Sequence, residues 1–133
     1  MSLYHDTWRN NEEKVIYAIT DYEKAYATIG NEFLRNDYFL RRVKKGVKVK
    51  SLLPDSEIGR KDLKTAKELL RDMRFIDLFD DLGIEINVYD DKLALFAFDE
   101  KKPSGVLIKN KTIARAFKHI FEYLWRSAKG IKK

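Results

Sequence analysis

The chain contains no cysteine, which excludes a disulfide, a thiolate metal site and a cysteine nucleophile. It has two histidines, His5 and His119, so histidine chemistry has only two places to start. Its six glycines are scattered, and neither a Gly-x-Gly-x-x-Gly turn nor a Walker-type loop exists to cradle phosphates. No apolar run approaches the roughly 20 residues that span a bilayer, and no signal-peptide pattern opens the chain. These absences predict a cytoplasmic protein without membrane contact. What is present suits a single domain. The 133 residues suffice for an ordinary core. Hydrophobic residues at 44% and aromatics at 13% argue against disorder, while 36% charged residues imply a heavily charged surface.

The net charge of +6 is unevenly spread. Residues 101–133 carry ten Lys or Arg against one acid, Glu122, and residues 77–100 carry eight acids against one base, Lys92. Such asymmetry suggests a nucleic-acid surface. The plainer account is a solvated helix face with a Lys-rich tail, because the basic residues alternate with core positions. Arg41-Arg42-Val43-Lys44-Lys45-Gly46-Val47-Lys48-Val49-Lys50 holds six bases in ten residues. Lys44 and Lys45 suit the negative end of a helix dipole, and no aromatic is interleaved for base stacking.

Hydrophobic patterning predicts the order β-α-α-β-α-β-β-β-α. Val15-Ile16-Tyr17-Ala18-Ile19 is short, β-branched and apolar throughout, as expected of a strand buried on both faces. Tyr22, Ala25, Tyr26, Ile29 and Phe33 recur at helical spacing behind Asp21 as N-cap. Asn36 or Asp37 caps a second helix, which Gly46 ends. Residues 47–53 read as the second strand, stopped by Pro54. A helix over residues 60–74 follows, with Leu63, Ala66, Leu70 and Met73 on one face. Strands over 84–89, 93–98 and 104–109 come next, the first two around Asp90-Asp91-Lys92. In the closing helix Ile113, Phe117, Ile120, Phe121, Leu124 and Ala128 form a stripe. Helix-joined strands imply a parallel pair within a mixed sheet. Residues 1–13 are too polar to be core and read as a linker or cloning remnant, residues 14–129 as the domain, and residues 130–133 as a basic tail.

Several segments, Tyr17-Ala-Ile-Thr-Asp21, Arg41 to Lys50, Val88-Tyr-Asp-Asp-Lys92, Gly105-Val-Leu-Ile108 and Phe117 to Trp125, together resemble the phospholipase-D-like sensor domain of TrmB-type transcriptional regulators. The resemblance implies an α/β fold, half of a phospholipase-D-like site, with a mixed sheet and flanking helices. It also implies ligand sensing or dimerisation, with DNA bound only through a separate N-terminal winged-helix domain. Phospholipase-D enzymes carry His-x-Lys-x(4)-Asp on the matching hairpin. With Lys92 as the motif lysine, the histidine position is Asp90 and the aspartate position Ala97. Neither histidine starts the motif: His5 is followed two places on by Thr7, and His119 by Phe121. The expectation is therefore a chain that is not an enzyme and hydrolyses no phosphodiester. The alternatives are a divergent phosphodiesterase or nuclease, and a basic nucleic-acid-associated module. Because the family's site combines two related halves, a homodimer is expected.

No cofactor or metal is expected. Asp80-Asp81, Asp90-Asp91 and Asp99-Glu100 offer oxygen ligands but read as acidic turns. Ligands of open α/β sheets bind beyond the carboxyl ends of parallel strands, which selects Thr20, Asp21 and Tyr22 after the first strand and Asp55 and Ser56 after the second. Arg71 and Arg74 lie in an Arg-x-x-Arg segment resembling one in these sensors and are candidate anion partners, and Lys92 completes the set. The expected partner is a small polar ligand, a sugar or an anionic metabolite.

Overall fold

The computed structural model describes residues 2–77, 82–99 and 101–130. Asp80, Asp81, Glu100 and tail residues 131–133 lie outside these. A seven-stranded sheet separates two helical layers, in the order β6-β5-β4-β1-β2-β3-β7. β1 (Val15–Ile19) is central, parallel to β2 (Lys48–Leu53) and antiparallel to β4 (Ile84–Tyr89). β3 (Arg71–Phe75) runs parallel to β2, and the two-residue β7 (Lys129–Gly130) borders it. β4, β5 (Lys92–Ala97) and β6 (Ser104–Lys109) form an antiparallel meander. The alternation along β1 sends Ile16 and Ala18 to one layer, and Tyr17 and Ile19 to the other.

One layer holds α1 (Ser2–Arg9), α2 (Tyr22–Ile29), α3 (Asn31–Phe33), a π-helical turn (Leu34–Tyr38), α4 (Phe39–Lys44) and α5 (Glu57–Leu63). The other is α6 (Lys111–Ser127). Asp21 caps α2 by accepting from the Glu23 and Lys24 N–H groups, and Gly46, at φ 74°, follows α4 in the left-handed region. Asn110 caps α6 by accepting from the Ile113 N–H.

The structure departs from the expected pattern in four places. The stretch before Val15, read as too polar for core, forms α1 and buries Tyr4, Thr7 and Trp8. Its polar atoms are absorbed: Thr7 Oγ1 donates to the Tyr4 carbonyl and lies 2.7 Å from the Tyr38 hydroxyl. Gly105 leaves room for Leu3, whose Cδ2 would sit 2.5 Å from an added Cβ. The helix expected over residues 60–74 ends early. Leu70, at φ 55°, turns the chain, and Arg71–Phe75 pairs with the free edge of β2. Asn36 and Asp37 lie inside the π-helical turn rather than at a helix start. Finally, the seam of α6 is rotated. Ala114, Phe121 and Trp125 are buried, whereas Ile113 and Ile120 are exposed. Phe121 stacks on Trp125 at 5.6 Å and packs edge-on against Tyr17.

Candidate ligand site

Inward-facing positions of the central strands would ordinarily be apolar. Here Thr20, Ser51, Arg71, Glu85 and Asn87 are polar, buried and directed into the helical layer of α1 to α5. With Tyr4 from α1, Tyr22 and Tyr26 from α2, Tyr38 from the π-helical turn, and Phe39 and Arg42 from α4, they line a cavity of about 40 Å³. That is room for about three waters. A π-helical turn often marks a functional site, and this one buries Leu34 and Tyr38 together in the cavity wall.

Three acidic and basic centres organise the wall. Glu85 accepts from the Tyr4 hydroxyl and Thr20 Oγ1, both at 3.1 Å, and from Asn87 Nδ2 at 2.9 Å. Burial nevertheless pushes its carboxyl above the usual 4.5; the three donors and the charge of Arg71 oppose the shift without cancelling it. Asp62, on α5, accepts from the Tyr26 hydroxyl at 2.5 Å and from Arg35 Nη2 at 2.8 Å, and lies 3.5 Å from Arg71 Nη1. Arg42 is spent on the backbone, donating to the Val47 and Leu69 carbonyls at 2.7 Å each.

Arg71 is different. Its side chain is 1% exposed, and its guanidinium lies 4.2 Å from the Phe39 ring centre and 5.2 Å from that of Tyr22. Yet neither Nη1 nor Nη2 has a hydrogen-bond partner among the described residues, and neither does Asn87 Oδ1. Buried polar groups are normally paired. Leftover donors and a leftover acceptor on one cavity wall are the pattern of a binding site.

Glu85→Gln tests the electrostatics. A group whose pKa is raised on folding stabilises fully below its unfolded value and loses that contribution as pH rises through its folded value. The wild type is thus expected to weaken as pH climbs from about 4.5, and the variant to lack this component. At neutral pH the variant should be the more stable of the two, with the Asn87 amide reversed to face the new donor. Urea titrations at several pH values decide it, and an unchanged slope in Glu85→Gln would refute it.

The structure distributes the candidate residues as follows. Thr20, Tyr22 and Arg71 meet at the cavity, which lies against a face of the sheet rather than beyond the strand ends. Asp21 caps α2, Ser56 caps α5 through the Gly59 N–H, and Asp55 pairs with Arg60 at 2.6 Å. Arg74 faces α6, donating to the Trp125 carbonyl at 2.9 Å and lying 4.4 Å from that ring centre. Lys92 occupies a separate open groove, 3.3 Å from Asp6 Oδ2 and 2.6 Å from the Asn10 carbonyl. In that groove Asp6 is partly desolvated, which favours its neutral form, but hydrogen bonds from Tyr89 and Asn10 and the Lys92 charge hold its carboxyl below the usual range. Asp90, at the position aligned with the motif histidine, accepts from the Glu12 and Glu13 N–H groups. The basic run disperses: Arg41 pairs with Asp37, Arg42 faces the cavity, and Lys50 lies over the Trp125 ring. No group of three or more His, Asp or Glu among the described residues gathers to hold a metal, and no described helix is long and apolar enough to cross a membrane.

Sequence reasoning missed Glu85, Asn87, Ser51, Asp62 and Arg42. Its available signal was alternation: Glu85 and Asn87 take every second place in a strand whose other positions, Ile84, Ile86 and Val88, are apolar.

No protein-family model matches the sequence, and comparison with curated proteins finds no match. Solved structures do match. TrmBL2, an archaeal chromatin protein with a novel mode of DNA binding, is 22% identical over 97% of this chain, with a TM-score of 0.59. The chain spans about half of TrmBL2, 52%. Nuc from Salmonella typhimurium, a phospholipase D family member, is 13% identical, with 99% of this chain and 90% of Nuc covered and a TM-score of 0.63. NucT from Helicobacter pylori is 12% identical over 98% of this chain and 89% of its own length, with a TM-score of 0.63. Likeness at this identity establishes the fold, a phospholipase-D-like mixed α/β sheet with flanking helices. It also overturns the expectation that the chain is not an enzyme. Nearly all of the chain shares its fold with a phospholipase D family member, so the missing motif is no ground for excluding an enzyme.

Proposed function

We propose that this chain is the ligand-sensing domain of a TrmB-like transcriptional regulator, with a small anionic metabolite as effector. The observation that carries the reading is Arg71: a buried guanidinium beside the Phe39 and Tyr22 rings, ion-paired with Asp62 at 3.5 Å, whose Nη1 and Nη2 line a cavity without a hydrogen-bond partner among the described residues. Likeness to TrmBL2 supports the regulator context. In this reading the protein is cytoplasmic, DNA contact belongs to a separate domain, and the chain forms a homodimer. Exposed Val106 and Leu107 on the edge strand β6, with Ile120 and Tyr123 on α6, supply apolar surface for such pairing. Sedimentation at twice 15.7 kDa supports the dimer, and a concentration-independent single-chain mass removes it.

Thermal-shift screening of carboxylates, phosphate, sugars and sugar phosphates tests the sensing role. A ligand at a hundredfold excess over its Kd stabilises by about 2.7 kcal/mol. The shift should vanish in Arg71→Met, and its persistence in that folded variant would refute the site. A second reading, a phosphodiesterase, draws on the Nuc fold and on the groove holding Lys92. Hydrolysis of a chromogenic phosphodiester that is lost in Lys92→Ala would favour it.

A further inference from the structure

Resting on the sensing role of this cavity, we propose that its occupant is a small oxyanion carrying its own hydrogen-bond donor, such as a short hydroxy- or amino-carboxylate. The two unpartnered elements of the wall are of opposite kinds. Arg71 offers Nη1 and Nη2, a rigid fork of N–H groups that matches two oxygens of one carboxylate or phosphate. Asn87 offers the oxygen of its amide, because Asn87 Nδ2 is committed to Glu85 Oε2 at 2.9 Å. That oxygen calls for a donor.

A ligand of bare oxygens satisfies Arg71 and leaves Asn87 Oδ1 buried and unpaired. A neutral polyol can serve Asn87 Oδ1 but brings no negative charge to Arg71, which shares the nearby Asp62 carboxylate with Arg35. A single small molecule with both features completes both sides of the wall at once. Size narrows the class further, since about 40 Å³ holds a handful of non-hydrogen atoms, far fewer than a whole disaccharide or nucleotide.

The surrounding charges suit a monoanion. Arg71 from β3 lies 3.5 Å from Asp62 on α5, which also takes Arg35, and the buried Arg42 from α4 adds a further positive charge held by backbone carbonyls. Glu85 from β4 is the second carboxyl in the layer, and Tyr4, Thr20 and Asn87 surround it; burial drives it toward the uncharged acid. The rings of Phe39 and Tyr22 fix the guanidinium before any ligand arrives, which lowers the ordering cost of binding.

Calorimetric titration of the chain with two matched pairs at neutral pH tests this: glycolate against acetate, and phosphate against sulfate. In each pair one member brings a donor and the other brings none. In at least one pair the donor-bearing anion should bind about tenfold tighter or more, the worth of one buried hydrogen bond. The pair that discriminates tells a carboxylate from a phosphate source. Asn87→Ala should erase the preference while keeping the weaker affinity. Equal binding within both pairs by the wild type overturns the proposal, and this comparison needs no variant to fold. If only sugars stabilise the chain, the oxyanion proposal falls and the sensing role stands; if nothing in the screen binds, both fall.

Discussion

Asp62→Ala is expected to destabilise the fold by about 3–5 kcal/mol, the usual result of removing one partner from a buried ion pair. Asp62 and the Arg71 side chain are each 1% exposed. Without the carboxylate, Arg71 keeps a full charge in the interior while the Tyr26 hydroxyl and Arg35 lose their acceptor. Asp62→Asn should cost less, because an amide oxygen can still accept from Tyr26 or Arg35. Combining Asp62→Ala with Arg71→Met should recover part of the loss, since the stranded cation is gone. Urea denaturation of the three variants reads this directly. A double variant weaker than Asp62→Ala would show that the penalty has another origin.

Arg42→Met is expected to cost about 3 kcal/mol, from two charged hydrogen bonds worth about 1.5–3 kcal/mol each less the gain from burying an apolar chain. The two bonds tie separate segments together. One reaches Val47 before β2, and the other reaches Leu69 in the turn before β3. A lysine cannot span both carbonyls with one ammonium as a planar fork does, so Arg42→Lys should restore little of the stability. Full stability in Arg42→Lys, measured in the same denaturation series, would refute the fork argument.

How far the sequence reveals this protein depends on which residues are asked. β1, β2, the β4–β5 hairpin and β6 were legible because β-branched or alternating apolar residues end at clear turn chemistry, such as Asp90-Asp91 and Pro54. β3 was not, since Leu63, Ala66, Leu70 and Met73 fit a helical period while a tertiary edge on β2 decided the outcome. α1 was hidden because His5, Asp6 and Arg9 dominate its composition, although Tyr4, Thr7 and Trp8 are buried. At the site, Thr20, Tyr22 and Arg71 were found through the strand-end rule and the Arg-x-x-Arg segment. Glu85 and Asn87 were passed over because a polar residue in a central strand looks like a surface position until its face is known. Arg42 was lost in a run of bases, where position relative to the core, not residue type, separates a structural arginine from a solvated one.

The Glu85 cluster has a kinetic side. Its acceptor oxygens collect donors from Thr20, 65 residues earlier, and from Tyr4, 81 residues earlier. Closing loops of that length is entropically costly and slows folding where such pairings dominate. β1 completes its second edge only when β4 arrives. The cavity wall therefore depends on segments far apart in the sequence, and Glu85 gathers its donors only where α1, the end of β1 and β4 come together. In the proposed sensing role, an effector seated there would bind the assembled fold and stabilise it against unfolding.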